Sequence, residues 1–382
     1  MPMSDKQIYL DYNATTPTDQ RVVDAMLPYF TENFGNSSSV QHRYGKESAQ
    51  AIHQSKSTIK NLINRVNSGD IIFTSGATES INLALKGVLF SPNTHGKHII
   101  TSQTEHKAVL DTCTAMQKNG IQVTYLPVDK NGIVNIEDLE GQINPTTVLV
   151  SIIWANNETG VIQNMKAISQ IAKKYDIIFM SDVTQAIGKT EVNLDKVDID
   201  LLAFSGHKIY GPKGVGGLFL SERALQLGLV PQITGGGQQR DLRSGTLNTP
   251  GIVGLARAFE ILQEDMDSEI RRVTELRDKF EKGLKNISPL ISINGEDVPR
   301  ISNTSNVAFP GISSEKIILN CRELAISSGS ACNSSALSPS HVLKAMNLDE
   351  SILNSSIRFS LGRFTTKEEI DYTLQKVAEL YS

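Results

Sequence analysis

"DIIFMSDVTQAIGKTEVNLDKVDIDLLAFSGHKIYGPKGVGGLFLS", residues 176–221, decides the fold. It holds three short apolar runs, "DIIFMSD" (176–182), "LLAFSGHK" (201–208) and "GGLFLS" (216–221), each too short for a helix and bounded by turn residues. Near-continuous apolar runs of this length predict strands buried on both faces, as in a mostly parallel sheet sandwiched between helices. Two of them end in chemistry: Asp182 closes the first, and Ser205-Gly206-His207-Lys208 closes the second.

The same texture extends towards the N-terminus. "DIIFTSG" (70–76), "KHIITS" (97–102) and "VLVSIIWAN" (148–156) read as further strands. "KESAQAIHQSKSTIKNLINRV" (46–66) and "MKAISQIAKKY" (165–175) carry Ala, Ile and Leu at helical spacing. This is an α/β domain. After Pro250 a charged helix, "EDMDSEIRRVTELRDKFEKGLKNI" (264–287), leads to isolated strands "LISING" (290–295), "NVAFP" (306–310) and "SIRFSLG" (356–362), which predict a smaller α+β domain. No internal repeat or low-complexity segment interrupts the pattern.

Composition narrows the function. The chain has 382 residues, 39% hydrophobic, long enough for a large core and a second domain. A net charge of −4 without blocks of Lys or Arg argues against nucleic acid as a partner. The N-terminus has no apolar signal region and no stretch is long enough to cross a membrane, so a soluble, cytosolic protein is expected. The three cysteines, Cys113, Cys321 and Cys332, form no C-x-x-C pair, which predicts neither a disulfide framework nor a zinc knuckle. His95 and His98 are expected in a turn rather than at a metal. Cys113 and Cys321 fall in helical patterns and are expected to be buried and inert, whereas Cys332 sits in "AISSGSACNSSALSPSH" (325–341), whose Ser and Gly content predicts an exposed loop.

Parallel sheets bind ligands beyond the carboxyl ends of their strands. The polar residues there are Ser75-Gly76-Ala77-Thr78, Thr104-Glu105-His106, Asn156-Asn157-Glu158, Asp182 with Gln185, and Ser205 to Lys208. "FTSGATESINLALKG" (73–87) runs from strand into helix and offers free N–H groups to an anion, although Thr78 could equally cap that helix. Nucleotide motifs fail: "GHKIYGP" puts Pro212 where a P-loop needs lysine, and "GVGGLF" lacks the last glycine of a dinucleotide fingerprint. A phosphate cradle beside a strand-end lysine suggests a phosphorylated aldehyde joined to the amine, the chemistry of pyridoxal 5'-phosphate, with Asp182 as partner for the pyridine nitrogen. Singly, Lys208 could be a surface cation and Asp182 a cap.

"YLDYNATTP" (9–17), "FGNSSS" (34–39), "FTSGATES" (73–80), "TEHKAVL" (104–110), "WANNETGV" (154–161), "SDVTQAIGK" (181–189), "FSGHKIYGPKG" (204–214), "RSGT" (243–246), "SSGSAC" (327–332) and "SSIRFSLGR" (355–363) together resemble the cysteine desulfurases of the NifS and IscS type, in the class V aminotransferase superfamily. The resemblance implies a pyridoxal-phosphate-dependent fold type I transferase, its large domain (17–262) built on a mostly parallel seven-stranded sheet and its small domain formed by 1–16 and 263–382. It implies that Lys208 anchors the cofactor, Asp182 pairs with the pyridine nitrogen, Gln185 contacts the ring oxygen and His106 stacks on the ring and shares in acid–base steps. Ala77, Thr78, Ser205 and His207 would hold the phosphate, with Thr246 reaching it from the other subunit of a homodimer. Asn157 and Arg358 would receive L-cysteine, and Cys332 would take its sulfur as a persulfide, leaving L-alanine. The acceptor expected next is a protein, such as an iron–sulfur scaffold or a thiolation protein.

Three departures stand out. Val183-Thr184 replaces the commoner Ala and small or branched residue, with an expected effect on packing only. Gln239 and Asp241 stand where Glu and Gly are common, near the expected subunit contact. The sequence closes on "VAELYS", where many relatives continue with a scaffold-docking stretch, so the resemblance carries desulfuration further than scaffold transfer. A selenocysteine lyase or an aminotransferase is the alternative enzyme, against which Cys332 argues. A non-catalytic sulfur-carrier or assembly partner is the alternative of another class, against which the set Lys208, Asp182, His106, Cys332 and Arg358 argues.

Overall fold

The structure is a computed structural model that describes residues 7–64, 68–328 and 340–381. In chain order its strands are β1 (Ile8–Tyr9), β2 (Asp70–Thr74), β3 (His98–Ser102), β4 (Gln122–Leu126), β5 (Thr147–Ser151), β6 (Ile178–Asp182), β7 (Leu201–Ser205), β8 (Gly216–Leu220), β9 (Ser292–Ile293), β10 (Thr304–Ala308), β11 (Leu324–Ala325) and β12 (Ser356–Ser360). Seven form one sheet in the order β2-β8-β7-β6-β5-β3-β4. β8 is antiparallel to both neighbours and the other pairings are parallel.

Alternation along each strand divides the interior into two layers, because successive side chains point to opposite faces. Ile71, Phe73, Ile100, Val150, Phe179, Leu202 and Phe204 pack on one face with the helices Arg43–Leu62 and Met165–Lys174. Ile72, Ile99, Leu149, Met180, Leu201 and Ala203 pack on the other with Ala77–Leu89 and Lys107–Gln117. Each core strand therefore has to be apolar throughout.

β4 is missing from the strands read in the sequence. It is an edge strand, with Gln122 exposed and only Leu126 fully buried, so it has no continuous apolar run. Of the two readings of His98, the strand "KHIITS" holds and the turn does not: His98 is the first residue of β3, buried, and its ring nitrogens meet Thr147 Oγ1 at 2.7 Å and Thr124 Oγ1 at 2.9 Å. Cys113 lies in the helix Lys107–Gln117 and Cys321 caps the end of Ser314–Asn320; both are buried free thiols, as expected.

The helix Thr249–Ile287 joins the large sheet to the rest. It begins with Asn248 Oδ1 accepting from Gly251 N at 3.1 Å, with Pro250 in the first turn where no N–H is needed. Its first half, with Ile252, Leu255, Phe259 and Leu262, packs into the sheet core, so the change of texture after Pro250 is not a boundary in space. Its second half, with Val273, Leu276, Phe280 and Leu284, belongs to a separate core with Ile8, Leu10, Val307, Ile357 and Phe359. There the antiparallel sheet β12-β10-β9 and the parallel pair β1-β11 supply the strands. No helix among the described residues is long and apolar enough to cross a membrane.

Candidate active site

β3 and β4 are added to one side of the sheet and β5, β6 and β7 to the other, so chain order reverses between β3 and β5. Loops diverge at such a point and open a crevice. Here it is a cleft of about 560 Å³. Ala77, Thr78, His106, Asn157, Asp182, Gln185, Ser205, His207, Lys208 and Arg358 all line it. Of the remaining expected residues, Thr246 is exposed and is not in this cleft, and Cys332 lies outside the described residues.

One end of the cleft is built for an anion. Gly76 precedes the helix Ala77–Leu89 at φ +152°, a conformation that side-chain-bearing residues rarely adopt, and no side chain caps that end. Thr78 is thus a helical residue, not the cap, and the leading N–H groups are left for a ligand. Gly216 permits the approach of β8, since a Cβ there would lie 2.7 Å from Gly76 Cα. Ser205 ends β7, and His207 follows in a tight turn with Nδ1 3.1 Å from Thr15 Oγ1. Burial, then the nearby Lys208, Lys213 and Lys189, lowers the His207 pKa to about 4, so it meets an anion as a neutral donor at pH 7.

Lys208 follows β7 by three residues, and its Nζ donates to the carbonyls of Asn13 and Ala14, each at 2.6 Å. Asp182 ends β6, buried, with Oδ1 accepting from Thr184 N at 2.9 Å. His106 caps the helix Lys107–Gln117 through Nδ1, which accepts from Ala108 N at 3.1 Å. Desolvation keeps its pKa below the ordinary histidine value, and Lys208 adds to this while Asp182 opposes it.

At the other end Arg358 projects from β12, buried, with Nη2 donating to Asp11 Oδ1 at 2.6 Å and Nη1 to Asn157 O at 3.1 Å. Its Nε is buried without a partner, a charge-assisted donor left for an anionic ligand.

Several participants were missed in the sequence. Asn13 donates through Nδ2 to Asn157 O at 3.1 Å and Thr304 Oγ1 at 2.8 Å, which fixes the strap 13–15 across the cleft. The side chains of Asn13-Ala14-Thr15 gave no sign of this role, because the groups that hold Lys208 are backbone carbonyls. Val183 is core, but Thr184 lines the cleft with an unpartnered buried hydroxyl, so this departure reaches beyond packing. Gln239 hydrogen-bonds the exposed edge of β2, accepting from Phe73 N at 2.7 Å and donating to Phe73 O at 2.8 Å.

Two buried carboxyls flank the site. Burial, and secondarily Asp182, pushes Glu105 up to about 8, and burial pushes Glu158 up to about 7. Glu158 Oε2 accepts from Ser340 Oγ at 2.5 Å, and His341 Nε2 lies 3.0 Å from Glu105 O. Ser327 and Arg358 exchange backbone hydrogen bonds at 2.6 and 3.3 Å. Ser327 thus lines the cleft, and Ser340 is tied to Glu158, the neighbour of cleft-lining Asn157.

A strand-end lysine, an acid on the neighbouring strand and an uncapped helix N-terminus on this fold define a pyridoxal-phosphate enzyme of fold type I. The chain belongs to the aminotransferase class-V family, whose model matches residues 8–373, and within it to the cysteine desulfurases. It is 45% identical over 370 residues to the cysteine desulfurase IscS of Methylobacillus flagellatus, covering 96% of this chain and 90% of the relative. With that of Rickettsia akari it shares 47% over 373 residues, 97% and 90%. Among solved structures it resembles a NifS-like protein, TM-score 0.89, 38% identical over 98% of this chain and 99% of that one. Another is SspA in complex with cysteine, TM-score 0.82, 37% identical over 94% and 99%. Pyridoxal 5'-phosphate is the cofactor, and the residues present fit it: an anion cradle, an amine and a buried carboxylate share one cleft.

Proposed function

We propose that the protein converts L-cysteine to L-alanine and takes the sulfur onto Cys332 as a persulfide. The observation that carries this is the convergence of Lys208, Asp182, the uncapped helix end and the unpaired Arg358 Nε on one cleft. The cofactor, when bound, supplies an electron sink that makes bonds at the substrate carbon breakable. Ala77, Thr78, Ser205 and His207 hold its phosphate, Asp182 its ring nitrogen, Gln185 its ring oxygen, and His106 its face, while Lys208 is the covalent anchor. Arg358 clamps the substrate carboxylate beside Asn157, and the freed Lys208 amine moves the proton at the substrate's α-carbon, with His106 sharing the acid–base work. The Cys332 thiolate attacks the substrate sulfur; the S–S bond forms, the C–S bond breaks with its electron pair left on carbon, and a proton restores the methyl group of alanine. Thiol plus cysteine gives persulfide plus alanine, with no external oxidant.

The domain division we favour is 17–262 against 1–16 with 263–382, supported by the change of core along Thr249–Ile287 and by the pairing of β1 with β11. A homodimer is favoured by the position of Thr246 outside its own cleft and by the exposed Leu27, Phe30, Phe34, Val40 and Tyr44, an apolar surface suited to a second copy. A cytoplasmic location is favoured by the two free buried thiols, and a protein acceptor, such as an iron–sulfur scaffold or thiolation protein, is the onward partner.

The test is alanine and cyanolysable persulfide measured together from L-cysteine. Wild type should yield equal amounts of both in a single turnover. Cys332→Ser should bind cofactor normally and yield neither, whereas Cys113→Ser and Cys321→Ser should retain most activity. Persulfide persisting in Cys332→Ser refutes the assignment.

A further inference from the structure

Lys189 is unused by this chemistry, yet its amine reaches Gln185 and Asn13, two residues that line the cleft. Gly188, at φ +76°, lies against the helix Thr249–Ile287, where a Cβ would come within 2.7 Å of Leu262. The resulting turn brings Lys189 back under Gln185, four residues earlier. Its Nζ donates to Gln185 Oε1 and lies 3.4 Å from Asn13 Oδ1.

This contact decides which way round the Gln185 amide sits. Oε1 is taken by Lys189, and Nε2 donates one hydrogen to Asn13 O at 2.9 Å, the carbonyl that also accepts from Lys208. Reversing the amide would set Oε1 against the Asn13 carbonyl, two acceptors with no hydrogen between them, and take from the Lys189 amine the oxygen it donates to. The second Nε2 hydrogen is therefore what Gln185 can offer the cleft it lines.

We propose that Lys189 is a positioning residue that locks Gln185 as an obligate hydrogen-bond donor, so that this side of the cleft receives an ionised ring oxygen. The inference rests on the proposed role of Gln185 towards the cofactor. Desolvation holds the Lys189 amine well below its ordinary pKa, with Lys208 and Arg358 pushing the same way and Glu269 opposing. Glu269 is itself paired with Arg363 at 2.8 Å. The amine acts as a donor in either protonation state.

The experiment is a pH titration of the visible band of the pyridoxal-phosphate-loaded protein. A donor on the ring oxygen drains negative charge that otherwise retains the proton of the Lys208–cofactor linkage, so losing it raises the midpoint. Lys189→Met is expected to raise it by ~0.5 pH unit or more. Gln185→Met is expected to do the same, and the double variant no more than either single one, the signature of two residues acting as one unit. An unchanged midpoint in Lys189→Met, or additive shifts, overturns the proposal. Should Lys189→Met fail to fold, Lys189→Gln, whose amide can still donate, takes its place: a midpoint near wild type supports the lock, and one matching Gln185→Met overturns it. If wild-type protein forms no visible band with pyridoxal phosphate, it is the function proposed above that fails.

Discussion

Arg358→Lys tests the substrate clamp while keeping the positive charge. In the structure two of the guanidinium nitrogens are committed, Nη2 to Asp11 and Nη1 to the Asn157 carbonyl, leaving Nε for a ligand. A lysine ammonium is a single point on a flexible stem and cannot reach Asp11, the carbonyl and a substrate carboxylate at once. Losing one or two charge-assisted hydrogen bonds in a desolvated site costs about 1.5–3 kcal/mol each, so kcat/KM for L-cysteine should fall about 100-fold, largely through KM. Steady-state alanine production measures this, with the visible band of the bound cofactor as a control that should not change. A variant with wild-type KM would show that Arg358 serves the Asp11 ion pair alone and that the substrate carboxylate is held elsewhere.

Further predictions concern the cofactor, the interface and acidity. Lys208→Ala should abolish covalent attachment, and mass spectrometry after borohydride reduction of wild type should find the adduct on Lys208; an adduct on Lys213 overturns the assignment. Thr246→Ala should lower cofactor affinity about tenfold, as for one lost hydrogen bond to a charged group, in a protein that sediments as a dimer; an active monomer refutes the shared site. Glu105 has a folded pKa raised to about 8, so its folded form holds a proton that the unfolded chain gives up near the ordinary value, and its contribution to stability is lost as pH rises through that window. Glu105→Gln should therefore gain stability over wild type as pH climbs from 5 to 8 in chemical denaturation; parallel curves would show that Glu105 is ionised in the fold.

Much of this was legible in the sequence because parallel strands leave a double signature, an apolar run and then a polar residue at its end. Asp182, Ser205 and Lys208 were visible in that way, and the motifs around them carried the family. The antiparallel direction of β8 was not, since "GGLFLS" is as apolar as its neighbours and direction is set by the length of the preceding turn. Glu105 and Glu158 were read on the polar rim, but not their burial, which depends on which loops fold over them, nor was the Lys189–Gln185 contact, which requires the turn at Gly188. The strap 13–15 was quoted as motif but its role lies in backbone carbonyls, which every residue possesses.

The helix Thr249–Ile287 gives half of its length to each of two cores. A single hydrogen-bonded rod of about 60 Å cannot melt at one end without weakening the nucleus of the other, so the two parts should lose amide-exchange protection together. The chemistry proposed above asks the Arg358 wall and the Lys208 wall to hold their spacing, and this rod is the girder shared by the two cores behind them.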